Sequence, residues 1–193
     1  MFKKILFTLL IVGGASLSAS GQKLALKTNA LYWLAATPNL GVEYAVSKHS
    51  TFNVTVNYNP WTFGEDAKIQ HFFVRPEYRY WFRESYSHFF LSTHLIGATF
   101  EVGGFSTPIK EIGRLTNQYY VGSALGAGIG LGYSFYLSKH INIETSVGAA
   151  LMRVKYHTEN IKSGKHSGDV IHYLPLPTEV SVSFVYLFNS RKR

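Results

Sequence analysis

Between residues 119 and 137 the chain reads YYVGSALGAGIGLGYSFYL, and its side chains sort by parity. Odd positions carry Tyr119, Val121, Ser123, Leu125, Ala127, Ile129, Leu131, Tyr133, Phe135 and Leu137. Even positions carry Tyr120, Gly122, Ala124, Gly126, Gly128, Gly130, Gly132, Ser134 and Tyr136. A strand produces this sorting automatically, because successive Cβ atoms point to opposite faces; a helix mixes the two sets. Four glycines inside one helix would also cost several kcal/mol against alanine. The stretch is a long strand with one apolar face and one face of small residues.

The same parity recurs. Leu40, Val42, Tyr44 and Val46 oppose Gly41, Glu43, Ala45 and Ser47. Phe52, Val54, Val56 and Tyr58 oppose Thr51, Asn53, Thr55 and Asn57. Ile141, Ile143, Val147 and Leu151 oppose Asn142, Glu144, Ser146 and Gly148, and Val180 to Phe188 repeat the pattern against Glu179, Ser181 and Ser183. Only HFFLSTHLIGATFEV, from His88, does not resolve into two faces. Eight strands are expected, at 23–34, 40–47, 51–59, 69–82, 88–103, 118–137, 141–156 and 171–188. Tight connections (Ser-Lys-His-Ser at 47–50, Arg-Glu-Ser-Tyr-Ser at 83–87, Ser-Lys-His at 138–140) alternate with long polar ones at 60–68, 104–117 and 157–170; the first connection, AATPN, is short for its side. An even number of strands, short turns at one end and long loops at the other predict an all-β fold: an eight-stranded antiparallel transmembrane β-barrel of the outer-membrane type. Closure removes the exposed edges an open sheet would carry. His49 and His140 then read as residues of tight turns, which need short polar side chains and a solvated backbone.

The N-terminus agrees with export. Lys3 and Lys4, an apolar run from Ile5 to Val12 and the small residues Ala19-Ser20-Gly21 predict a signal peptide over 1–21, cleaved before Gln22, leaving a barrel domain over 22–193. No cysteine is present, so neither a lipid anchor nor a disulfide framework is expected. The formal charge of +8 falls to +6 when Lys3 and Lys4 leave. An exported chain without a basic helix or a nucleic-acid motif is not expected to bind nucleic acid; anionic headgroups are the better acidic partner.

If the apolar faces meet lipid, the opposite faces point into the barrel. In IQHFFVRPEYRYWF, Phe72, Val74, Tyr78, Tyr80 and Phe82 fall on the lipid side, and Arg75, Glu77, Arg79 and Trp81 point inward. Lys27, Glu43, Glu144 and Glu179 join them. Both signs of charge meet on one concave surface that is only wide enough to be filled by side chains. A hydrogen-bonded ionic plug is expected, since an unpartnered buried charge costs several kcal/mol. A bulge is expected at Pro76 on the lipid side, and Pro175 and Pro177 near the outer rim.

The segments TNALYWLAATPNLGVEYAVSKH and RPEYRYWF, with the leader and the strand-rich remainder, resemble a family of uncharacterised small outer-membrane proteins of Gram-negative bacteria, a domain of unknown function. The resemblance covers nearly the whole mature chain. It implies a transmembrane barrel, in some members beside genes for fimbrial or adhesin components, and no established activity. The series Phe184, Tyr186, Phe188 is similar to the C-terminal signal read by the barrel-assembly machinery, although five residues follow Phe188.

The functional expectation is a non-enzymatic barrel that supports the envelope or docks a surface component, fimbrial for example, through its outer loops. A lipid-modifying enzyme is an alternative: Ser92 with His94, or His166 with Ser167, would have to supply a nucleophile and its base. A narrow channel lined by Arg75, Arg79 and the glutamates is another. His157, His166 and His172 match no common ligand spacing, so no metal is expected. No phosphate loop or dinucleotide fingerprint appears, and no cofactor is expected. Lys155, Lys162 and Lys165 are the expected contacts to lipopolysaccharide phosphates.

Overall fold

The computed structural model describes residues 24–64, 66–105 and 115–188. The expected leader, most of the loop at 104–117 and the residues after Phe188 lie outside the described residues. The described residues form nine strands: β1 (Leu24–Asn29), β2 (Asn39–Ala45), β3 (Ser50–Asn59), β4 (Thr62–Phe63), β5 (Ala67–Trp81), β6 (His88–Gly103), β7 (Gln118–Tyr136), β8 (Ile141–Asn160) and β9 (Val170–Leu187), with one helix, α1 (Ala30–Leu34). All pairings are antiparallel, and they close into a ring: β1 pairs with β2 and β9, β3 pairs with β5, and β5 to β9 follow in order. Among the described residues no helix is long and apolar enough to cross a membrane.

Two elements differ from the sequence expectation. The first strand stops at Asn29 rather than 34, because the Asn29 side chain accepts from the Leu31 backbone N–H and caps α1. The same amide also donates to the Val180 carbonyl and accepts from the Val182 N–H, fastening the start of α1 to β9. The ninth strand is the two-residue β4, which folds back on Ala67 and Lys68 inside the connection at 60–68 and stands outside the ring.

The prolines also sit differently. At Pro76 the register stays continuous: Val54 faces Pro76 on β3, and on β6 the pairs Val74–Gly97 and Glu77–His94 keep one phase. The missing donor costs local pairing opposite Leu95 and Ile96, but no extra residue is inserted, so there is no bulge. Pro76 does share the outward face with Phe72 and Tyr78. The bulge lies instead on β9, where Gly148 faces Glu179 while Ala149 faces Pro177 and Thr178 is the extra residue. Pro175 and Pro177 are therefore within a paired strand, opposite Leu151 and Ala149, and not at its rim.

The ring has a filled interior and an oily exterior. Inward residues form three layers. At the turn end, Trp81, Tyr86, Phe90, Val185, Leu187, Ala25 and Ala45 make an apolar cluster. Toward the loop end, Ile96, Ala150 and Met152 pack with Phe73, Ala124, Val154 and Leu176. Charged and amide side chains lie between. The glycine face of β7 makes this filling fit: a Cβ on Gly132 would strike the Phe90 ring, and one on Gly126 would strike the Met152 sulfur. Outside, Leu91, Leu95, Leu125, Ile129, Leu131, Val147 and Val182 are exposed, Ile129 to 70 %, with Tyr80, Phe82, Phe89, Phe135 and Tyr186 near the turn end.

Candidate functional site

The charged residues of the inner faces converge in the middle layer. Arg79, on β5, is 2 % exposed and is the hub. Its guanidinium donates to Glu144 at 2.6 Å, Glu77 at 2.8 Å and Glu43 at 3.2 Å, and lies 4.0 Å from Glu179. Lys27, on β1, bridges Glu43 at 2.8 Å and Glu144 across the ring. Arg75 donates to Glu179 at 2.8 Å and to the Thr178 carbonyl at 3.1 Å. One network thus joins Lys27, Glu43, Arg75, Glu77, Arg79, Glu144 and Glu179.

Neutral side chains complete it. Thr51 donates to Glu43 at 2.5 Å and accepts from the Trp81 indole N–H; Asn53 donates to Glu77 at 3.1 Å; Ser146 donates to Glu179 at 2.6 Å. The Arg79 guanidinium also rests 4.5 Å over the Phe90 ring, coupling the charged layer to the apolar cluster below. A cavity of about 20 Å³ remains among Lys27, Asn53, Arg75, Arg79 and Glu179, the size of one water. Three cations face four carboxylates, so this layer is a crosslinked salt cluster with a small negative excess.

Thr178 was not singled out by sequence reasoning. Its bulge turns both its carbonyl toward Arg75 and its hydroxyl toward His94 Nε2, at 2.8 Å. A signal existed: outward apolar residues on this strand fall on odd numbers up to Pro177 and on even numbers from Val180, a phase change that requires one inserted residue.

The six histidines singled out from the sequence separate into three groups. His49 and His140 occupy their tight turns in matching geometry. The His49 carbonyl accepts from the Trp81 N–H and its Nδ1 donates to the Trp81 carbonyl; His140 does the same to Leu187. Their rings stack on Tyr80 and Tyr186. The repeated Ser-Lys-His tripeptide thus turns the chain and also clips it to the next strand. His94 and Ser92 both point inward, but His94 bonds Thr178, and the Ser92 hydroxyl has no hydrogen-bond partner among the described residues. Finally, His166 lies 3.4 Å from Glu159, His157 lies 3.9 Å from Asp169, and Ser167 bonds Thr158. His172 stacks on Tyr156. Among the described residues no group of three His, Cys, Asp or Glu residues could hold a metal ion.

Above the loop-side apolar cluster the ring opens into a cavity of about 710 Å³, lined among others by Asn59, His71, Phe100, Gly122 and Tyr156. Trp33 and Trp61 stand exposed near this end, their indole N–H groups donating to Thr28 and to the Ala36 carbonyl. Of the lysines expected at phosphates, Lys162 and Lys165 are exposed in the β8–β9 connection. Lys155 is tied to Asp169 at 2.6 Å, and its ammonium holds the Asp169 carboxyl below the usual carboxylate range.

A family model described as "Protein of unknown function (DUF3575)" matches residues 5–188, and the chain belongs to that family. No curated protein and no solved structure matches it.

Proposed function

We propose that this chain is a transmembrane β-barrel of a Gram-negative outer membrane, exported by a leader cleaved before Gln22, whose interior is plugged and whose role is to support the envelope or to dock a surface component at its loop end. One observation carries the reading: Lys27, Glu43, Arg75, Glu77, Arg79, Glu144 and Glu179 lie inside the ring, while at the same level Leu91, Leu95, Leu125, Ile129, Leu131, Val147 and Val182 stand on the outside. In water that arrangement would expose a large continuous oily surface and bury seven charges, both unfavourable. In hydrocarbon the oily exterior matches its surroundings, the strands pair around a ring, and the enclosed cations and carboxylates pair with one another.

The plug favours support or docking over conduction. A permeant ion would have to pass the Trp81–Phe90 cluster, the crosslinked charges and the Ile96–Met152 cluster in succession. The lipid-modifying alternative needs a nucleophile and base at the lipid face, and Ser92 and His94 are enclosed instead. Envelope lipid is the surrounding partner, the barrel-assembly machinery the expected inserter, and a fimbrial or other surface protein the candidate at the loop-end cavity.

Expression with the native leader tests this. The protein should stay with the outer-membrane fraction through alkaline washing, migrate faster on gels when unheated, and give no discrete conductance in planar bilayers. A chain recovered in the periplasmic supernatant would sink the membrane reading, and well-resolved conductance steps would sink the plug.

A further inference from the structure

On the outward side of the loop-end extension, charges come in pairs. Lys68 meets Glu101 at 2.5 Å, Lys155 meets Asp169 at 2.6 Å, and Glu159 meets His166 at 3.4 Å. Arg153 differs. It is exposed on β8 and has no hydrogen bond or ion pair among the described residues. Its surroundings are apolar: Leu125 and Tyr173 face it across the ladders, and Leu151 precedes it on the same face, each more than 60 % exposed. It is also the first charge met along that face of β8, after Ile141, Ile143, Val147 and Leu151. An unpaired guanidinium at the upper edge of an oily band, with a paired lysine beyond it, is complementary to an amphiphile whose anionic head lies just above its chains.

We infer that Arg153 is the anchor for a phosphate of the outer-leaflet phosphoglycolipid, with Leu125, Leu151 and the Tyr173 ring taking the first part of its acyl chain. The inference rests on the membrane reading above. Guanidinium binds phosphate through two parallel N–H donors, and its planar fork makes that contact directional. Its aliphatic stem can lie along Leu151 while the head reaches the interface. Lys155, already engaged by Asp169, contributes less, so the contact is centred one residue pair lower on β8 than the lysines alone suggest.

The test uses the full mature protein in detergent, incubated separately with purified lipid A and with phosphatidylglycerol, then counted for retained lipid by native mass spectrometry after a detergent wash. Wild type should retain lipid A in preference to phosphatidylglycerol. Arg153→Ala should lower retention about tenfold, the loss of one charge-assisted contact. Arg153→Lys should fall between the two, and Lys139→Ala, at the turn end, should match wild type. Retention unchanged in Arg153→Ala overturns the inference, and equal retention of phosphatidylglycerol overturns the choice of glycolipid. Flotation of the same preparations with vesicles separates the two failures: a wild type that does not float breaks the membrane reading itself, whereas floating variants with unaltered lipid A retention break only the role of Arg153.

Discussion

The two walls of the ring are unequal. On one side β1 and β2 have 6 and 7 residues; on the other β7 and β8 have 19 and 20. A tilted strand needs about 9–11 residues to cross a bilayer, so the low wall falls short and the tall wall overshoots by nearly a factor of two. The low wall is completed by α1, whose Trp33 and Leu34 are among the most exposed apolar residues. The tall wall changes character part way up. Below Leu125, Leu151 and Leu95 its outside is mainly apolar and carries no charge, with aromatic rings toward the turn end; above them it carries Ser123, Arg153, Lys155, Thr99 and Glu101. On the proposed membrane reading, chain length therefore does not report how much of each wall meets hydrocarbon. The outward polarity switch does.

That contrast can be broken at its joint. Arg79 ties Glu43 of the low wall to Glu144 of the tall one, and Arg79→Met should lower unfolding stability by about 3–5 kcal/mol by leaving buried carboxylates uncompensated. Urea titration in detergent or lipid vesicles reads the loss; a variant as stable as wild type would mean the walls hold together without the charges. The switch itself can be located by arginine. Ile129→Arg, below it, should cost about 2–4 kcal/mol in vesicles, and Ser123→Arg, above it, about 0–1 kcal/mol. Equal costs would erase the proposed boundary.

Smaller effects sharpen the picture. Gly132→Ala forces a methyl against Phe90 in the tall wall and should cost about 1–3 kcal/mol, while Gly168→Ala, which meets nothing, should be silent in the same titration. Among the variants that remove a contact, Asp169→Asn should change the melting temperature least. Because Lys155 depresses the folded carboxyl's pKa, whatever this pair contributes is present above the unfolded carboxylate pKa and fades as pH falls through the folded one. Comparing the variant with wild type across that acid range should show the two curves merging at the acid end.

Parity made the inner and outer faces legible because Lys27, Glu43, Arg75, Glu77, Arg79, Glu144 and Glu179 each sit opposite a run of apolar neighbours. Where both faces are apolar, the signal vanishes. HFFLSTHLIGATFEV is such a case: Phe90 and Ile96 fill the interior while Phe89, Leu91 and Leu95 face out. The end of β1 was hidden for a related reason, as ALYWL is apolar in either periodicity and only the Asn29 cap decides for helix. Pro76 misled because a missing donor can be absorbed as a break in pairing, without an inserted residue. The aspartate partner of Lys155 lay beyond reach, since the register of the β8–β9 hairpin sets which loop residue returns to it. The carboxylates that Arg79 selects, 36 and 65 positions away, are likewise fixed only by closure.

The seam between β1 and β9 runs from Ala25 opposite Leu187 to Asn29 opposite Ser183, so the cylinder is sewn shut by residues from the two extremities of the described chain. Every partly made form, lacking the final strand, must therefore display two raw margins of unpaired peptide groups at once, each able to recruit a stray neighbour. Synthesis order cannot relieve this, because β9 is made after the β1 strand that it seals. Within this ring the margins are covered only when β9 reaches β1.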